Sequence, residues 1–560
     1  MKLTFGVDKF LRMLLAATFS TVVSIVAKLV SPVLAGNLLG PDALAGVNLV
    51  LPVLTLTSFF LVMVQTGTGT RYSLALGRCD VLGARRIFTQ ALWMVAFIGG
   101  LASAAIFFGS DLILALYGAS GEALVHARAY LFWLWPLPLL DGVLELLIIL
   151  GYADGEPRRC VVAYVAVFAV NVLVSSAAIK LGFGLAGCAS GMLVGYLVGV
   201  AVMALHFRSK SNTYRYVRYF SLKESFAICG ASFGDAAAIL CDALLLMFIN
   251  AFTVRMFGSG WLPVVAVALT ARQLLTLFDG VAAAAQPIIA VYHGEDNPVS
   301  VRKVMNAALA VSLAEGLFAT AVFLGFAPLL VRAIGIDDPA LAAPAATAIR
   351  LLAVGVIAHS LAGLFNSYYM FIERPLLAGV LTFVIYLVAP VAVSVGYSLV
   401  SGMNGLWLGL GLGNILGVLL FAALVATIGG RAAFPYLLDR KRERELKVFD
   451  LTLDEREIVE TSRKIGTLEG VPMKASLLTE EVLMAVKDRA QGKRVLAEVT
   501  VDRADGVKLT LRDDGEIFDI TDADQSISSL RGYLVASMMI HHEGKLNLVT
   551  TGYNRNVFKF

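Results

Sequence analysis

The sequence predicts an all-α polytopic membrane protein of twelve transmembrane helices, arranged as two parallel-repeat six-helix bundles, followed by a C-terminal α/β soluble domain of α+β sandwich type. Three observations carry this expectation. The 560-residue chain is 58% hydrophobic and only 15% charged, with a mean hydropathy of +0.79. Soluble domains carry about 25% charged residues, so most of this apolar surface needs lipid as its solvent. Charge-poor runs recur from residue 10 to about residue 429, many above the ~20 residues that carry a helix across ~30 Å of hydrocarbon. These runs also repeat: Gly184, Gly187, Gly191, Gly195 and Gly199 match Gly402, Gly405, Gly409, Gly413 and Gly417 at one offset of 218 residues.

In chain order the expected spans are 10–36, 43–70, 87–109, 126–150, 160–181, 184–206, 225–254, 262–292, 304–334, 342–371, 376–400 and 404–429. The first is too long for the apolar core of a signal peptide and runs straight into a second span, so it stays in the membrane. The repeat extends beyond the glycines: Pro157 pairs with Pro375 at an offset of 218, and Gly77 with Gly294 at 217. Six helices separate the copies, an even number, so both halves cross in the same direction about an axis along the membrane normal. Glycines spaced four apart let helix backbones approach closely. The resulting domains are 1–218 and 219–430 for the two lobes, 431–444 for a charged linker and 445–560 for the soluble domain.

Lys2, Lys9, Arg78, Arg85, Arg86, Arg158, Arg159, Arg208, Lys210, Arg302, Lys303 and Arg374 fall at one set of alternate span ends. The positive-inside rule makes those ends cytoplasmic, which places both termini and the soluble domain inside the cell at its plasma membrane. The net charge of +4 is spread over loops that touch anionic lipid, so nucleic acid is not implied as a partner. Five cysteines beside or within spans imply no disulfide framework. The six histidines do not cluster with cysteines, so no metal site is expected.

Ionisable residues inside a membrane are expensive and mark function by default. Asp235 and Asp242 lie seven residues apart on one helix face, about 10 Å along the axis, and Arg272 and Asp279 repeat that spacing on the next helix. This group reads as a cation-coupling site, with Asp242 or Asp235 binding the cation. The alternative is a structural salt bridge of Arg272 with one of the two. Asp141 and Glu145 share a face, and the 218-residue offset makes His359 the counterpart of Asp141. These three form a second polar site, or polar glue near the "WPLP" break. Aromatic residues in "YLFWLWPLP" (130–138) and "FNSYYMF" (365–371) either stack flat cations or anchor the interface.

The segments "AGNLLGPDALAGVNLVLPV" (35–53) and "AAAAQPIIAVYHGEDNPVSVRKVM" (282–305), with Gln286, Pro287, Asn171 and the "GLAGCASG" run, resemble the multidrug and toxic compound extrusion (MATE) family over roughly residues 10–430. The resemblance implies secondary-active efflux of small amphipathic or cationic solutes by Na⁺ or H⁺ antiport, with rocker-switch alternating access and no enzymatic step. Ser31 stands where many members carry an aspartate, which takes away the family's usual N-lobe proton site. Two other readings stay open: flipping of a lipid-linked oligosaccharide or other amphiphile, and a membrane sensor whose C-terminal domain binds a cytoplasmic protein partner.

After residue 445 the alternation predicts strands at 446–452, 494–502, 506–512, 545–550 and 555–560, with helices near 454–466, 473–490 and 528–540. "LLTEEVLMAV", "VKLTLRDDGEIFDITD" and "GYNRNVFKF" resemble the histidine-kinase-like ATPase fold, in its anti-sigma-factor kinase branch. That resemblance implies nucleotide-binding roles for Glu480, Asp513 and Gly515. Met484 replaces the Mg²⁺-binding asparagine, and a thioether is a poor ligand for that ion. Phosphoryl transfer and a bound nucleotide cofactor are therefore not expected, and no P-loop sequence is present.

Overall fold

The computed structural model describes residues 4–39, 41–116, 121–209, 212–275, 279–334, 339–429, 441–490, 492–516, 546–550 and 553–560. The first lobe contains α1 (Phe5–Leu34), α2 (Pro41–Gly77), α3 (Val81–Leu116), α4 (Gly121–Trp133), α5 (Leu137–Ala153), α6 (Pro157–Lys180) and α7 (Gly184–Ala204). The second contains α8 (Leu222–Ala231), α9 (Phe233–Phe257), α10 (Leu262–Gln273), α11 (Asp279–Gly294), α12 (Pro298–Ile334), α13 (Pro339–Leu352), α14 (Val356–Phe371), α15 (Pro375–Phe383) and α16 (Ala389–Leu424).

Among the described residues, nine helices are long and apolar enough to cross a bilayer, or ten if the pair α4 and α5 is one span bent by 52°. The sequence predicts twelve, and the shortfall has two physical causes. One is the 53-residue stretch Pro375–Thr427, which would reach ~80 Å if straight. It instead turns back at Gly402, whose φ of 60° and ψ of −139° break the helix. Beyond that turn a Cβ on Gly405, Gly409, Gly413 or Gly417 would meet Tyr397, Ser394, Pro390 or Ile385 respectively. Partner numbers fall as glycine numbers rise, so the stretch is an antiparallel hairpin of two helical arms. The other cause is the expected span 262–292, which is divided between α10 and α11, of 12 and 16 residues, around residues outside the description. The expected span 225–254 is likewise broken at Ser232, whose hydroxyl donates to the carbonyls of Met63 (2.7 Å) and Cys229 (2.9 Å). The bend between α4 and α5 falls at the prolines of "WPLP", which deny the ladder its N–H donors.

The repeat is visible in the backbone itself. In the first lobe Gly187, Gly191, Gly195 and Gly199 of α7 lean on Ala178, Ser175, Val167 and again Val167 of α6, the hairpin just described for the second lobe. Positive φ recurs at matched positions: Cys79 (62°) and Asp296 (59°), Gly155 (73°) and Glu373 (58°), Gly184 (53°) and Gly402 (60°). Two matched caps follow. Asp80 Oδ1 accepts from Gly83 N at 2.7 Å to start α3, and Asn297 Oδ1 accepts from Ser300 N at 3.0 Å to start α12.

The C-terminal part is a five-stranded antiparallel sheet in the order β1-β2-β3-β5-β4. Its strands are β1 (Leu446–Thr452), β2 (Leu496–Asp502), β3 (Lys508–Asp513), β4 (Leu546–Thr550) and β5 (Tyr553–Lys559). Helices α17 (Glu455–Gly466) and α18 (Met473–Ala490) cover one face, packing Ile458, Ile465, Leu478 and Val482 on Val499, Val501, Leu509 and Leu511. The helix expected at 528–540 lies outside the described residues.

One buried core runs through the first lobe and into the sheet-bearing half of the second. The far half of the second lobe has a core of its own, built on Leu245, Ile249, Val265, Phe323, Leu352 and Trp407. The lobes therefore join at the sheet-bearing end and separate at the other. At the junction the repeat-related Gly77 and Gly294 touch: a Cβ on either would strike the other's Cα. Arg78 of the first lobe pairs beside them with Glu373 of the second at 2.6 Å.

Candidate functional site

A cavity of about 430 Å³ opens between the lobes, and Asp235, Asp242 and His359 all line it, with Asn366, Met370 and Tyr386. Asp235 sits in the first turn of α9, where the positive end of the helix dipole favours a carboxylate. The Asn366 amide donates to Asp235 Oδ1 at 3.0 Å, and Asn366 Oδ1 in turn accepts from Thr382 Oγ1 at 3.1 Å. Gly234 makes this approach possible, because a Cβ there would run into Asn366 Oδ1. Two turns along α9, Asp242 binds Arg272 Nη2 at 2.8 Å, with the two side chains 53% and 15% exposed. The ion pair open to Arg272 in the sequence is thus made with Asp242, and Asp235 is held by a neutral amide. Asp279 begins α11, but its side chain lies outside the described residues. His359 packs edge-on against Tyr386, ring centres 4.7 Å apart, and Tyr386 Oη donates to the His359 carbonyl at 3.1 Å.

A second cavity, of about 390 Å³, lies on the first lobe's side and is lined by Ser20, Ser24, Glu145, Tyr152, Tyr164 and Gln286 among others. Tyr164 Oη donates to Glu145 Oε2 at 2.6 Å, and Tyr152 Oη to Ser20 Oγ at 2.9 Å. Asp141, one turn earlier, is hydrogen-bonded to Tyr196. The expected grouping of Asp141 and Glu145 with His359 is therefore corrected. His359 lines the other cavity, because repeat-related residues occupy equivalent places in different lobes and equivalence is not proximity. Gln286 lines both cavities and donates to Thr70 Oγ1 at 3.0 Å. Ser31 is buried, and Tyr130 is hydrogen-bonded to it.

The aromatics divide by helix. Phe132, Trp133 and Trp135 point outward, 41–52% exposed, as interface anchors do. Tyr368 and Tyr369 are fully buried, while Met370 and Phe371 reach the larger cavity.

In the sheet domain, Met484 is packed in the core between the helices and the strands, among apolar side chains. Glu480 lies half-buried one turn before it on α18. Asp513 Oδ1 accepts from the Asn554 amide at 2.8 Å and from Gly515 N at 3.0 Å. The Asp-x-Gly sequence thus acts here as a turn satisfied within its own domain.

Sequence reading missed two buried polar groups. Asp154 accepts from Thr213 N (3.0 Å), Thr213 Oγ1 (2.5 Å) and Tyr72 Oη (3.3 Å) and lies 3.0 Å from His206 Nε2, fixing the segment after α7 to the ends of α2 and α5. Glu295, Glu498, Arg512 and Arg555 form the other, beneath the sheet. The available signal was the polar face of β2 and β3, which alternation alone assigns to solvent.

Residues 16–176 match the family model described as MatE. Among curated proteins no relative matches. Solved structures share the fold. An outward-facing multidrug resistance MATE family transporter of the MOP superfamily aligns with a TM-score of 0.70 at 19% identity, covering 78% of this chain and all of that one. MATE in complex with MaL6 gives 0.70 at 19%, over 76% and 97% of the two chains. A MOP superfamily transporter from Pyrococcus furiosus, described as having a binding pocket of reverse polarity that suggests a different function, gives 0.69 at 20%, over 78% and 100%. About a fifth of this chain has no counterpart in these structures.

Proposed function

We propose that this chain is a MATE-type secondary-active exporter, in which Na⁺ or H⁺ entering down its gradient drives the two lobes to rock and expel an amphipathic or cationic solute. One observation carries the reading. Asp242 is neutralised by Arg272, whereas Asp235 faces the same cavity held by a neutral amide. Asp235 is therefore the carboxylate whose charge an incoming cation can balance, and it lines a cavity rather than facing lipid. The positive-inside pattern puts the sheet-bearing end in the cytoplasm. The lobes are joined at that end, so this state accepts cations from outside.

A flippase for a lipid-linked sugar calls for a basic cavity, and among the described side chains Glu145, Asp235 and Asp242 against Arg272 give the opposite balance. The test is export of a fluorescent organic cation from reconstituted vesicles under imposed Na⁺ and H⁺ gradients, with wild type beside Asp235→Asn. Gradient-driven flux should disappear in the variant. Unchanged flux in a variant that inserts normally overturns the assignment.

The docked C-terminal sheet favours one second reading, a membrane sensor whose domain captures a cytoplasmic regulator. A stoichiometric soluble partner, together with no gradient-driven flux, selects it.

A further inference from the structure

The sheet turns toward the lobes the face that its own helices leave bare. On that face Asp450 stands opposite Glu498, Glu498 opposite Arg512, and Arg512 opposite Arg555, in register across four strands. On a free sheet such a row would be solvated, and two adjacent arginines would repel. Here Glu498, Arg512 and Arg555 are at most 1% exposed, and every charge in the row has a partner in the helical part.

Those partners come from both lobes. Arg555 donates to the carbonyls of Leu76 and Gly77, each at 2.8 Å, at the negative end of the α2 dipole. It also pairs at 2.6 Å with Glu295, in the turn between α11 and α12. Arg512 pairs with the same Glu295 and with Glu498. Glu498 accepts from Ser300 Oγ (3.0 Å) and Tyr292 Oη (3.2 Å) of the second lobe. Asp450 takes Lys303 of the second lobe at 2.5 Å and the Phe5 amide of the first at 3.0 Å. Just past the end of β3, Asp514 lies 3.6 Å from Lys9 and 3.7 Å from Arg12, both in α1.

From this we infer that the C-terminal sheet is a clasp that holds the two lobes closed at its end. Arg555 grips the backbone of Gly77, which rests on Gly294 beside Glu295. The grip thus sits where the lobes meet, and separation at this face must pull Arg555 away from one lobe. A hydrogen-bonded sheet does not stretch to follow both, and a buried guanidinium stripped of its partners is strongly unfavourable. Opening toward the sheet therefore requires the domain to undock, and whatever loosens it raises the frequency of opening. The consequence for flux rests on the exporter reading above; the clasp itself is a statement about the distance between lobes.

The experiment uses the full chain in lipid nanodiscs, with its five cysteines replaced and spin labels at Leu82→Cys and Leu376→Cys. These sites are exposed, one in each lobe near the sheet-bearing end. Wild type should give one short interlabel distance. Arg555→Met, and Glu295→Gln made on the lobe side so that the fold of the sheet is not at stake, should each add a population longer by several ångströms. Lys559→Met, on the same strand but exposed at its end, should add none. An unchanged distance distribution in both clasp variants, with the sheet still resistant to proteolysis, overturns the inference. Longer distances without gradient-driven flux would keep the clasp and remove the exporter reading.

Discussion

The two lobes match in backbone down to positive φ angles at Cys79 and Asp296 and at Gly184 and Gly402, yet the acids on their cavities keep different company. Glu145 accepts from a tyrosine in the first lobe, whereas Asp242 binds an arginine and Asp235 an amide in the second. The difference teaches what a duplicated membrane bundle holds fixed. A hairpin glycine touches backbone on the facing helix, so any side chain there forces the helices apart. A cavity residue ends in open space, and its chemistry can change without moving a helix.

The largest expected effect tests the sameness. Gly195→Leu and Gly413→Leu each push a side chain into facing backbone, at Val167 and Pro390. Each should cost about 3 kcal/mol of stability by overpacking, read as loss of monodisperse protein and of thermal stability in detergent. A difference above about 1 kcal/mol between them would break the equivalence of the hairpins.

The next tests the difference. Asp235→Asn should lower gradient-driven flux by at least about tenfold, equivalent to about 1.4 kcal/mol, and Glu145→Gln by clearly less; the reverse order would move the coupling site to the first lobe. A smaller effect sharpens the φ comparison. Cys79→Gly relieves a left-handed backbone and should gain about 1 kcal/mol. Asp296→Gly should gain less, because Asp296 also holds Arg442 of the segment leading into the sheet. The smallest concerns the ion pair: Asp242→Asn should cost about 0.5 kcal/mol, since the Asp242 side chain is half-exposed, and Asp242→Asn/Arg272→Gln should restore it.

Much of the fold was legible in the sequence. The 218-residue glycine offset foretold two hairpins that pack alike, and alternation located β1 at 446–452 and the remaining strands to within two residues. The number of crossings was harder to see in the helices themselves, because the turn at Gly402 sits inside one unbroken apolar stretch. For the site, spacing put Asp235 and Asp242 on one helix face, and both line one cavity, but it linked His359 to Asp141 across a repeat that separates them.

By itself, then, the sequence determined what depends on order along the chain: which segments need lipid, where the strands run, which face a residue shares with its neighbours and which half repeats which. Only the tertiary structure decided that Arg272 goes to Asp242, that Asp235 goes to Asn366, and that Arg512 and Arg555 lie buried against Glu295. The physical reason is that periodicity and rise are set locally by backbone geometry. Whether a charge meets an amide, a guanidinium or water is set by elements hundreds of residues away that happen to pack beside it.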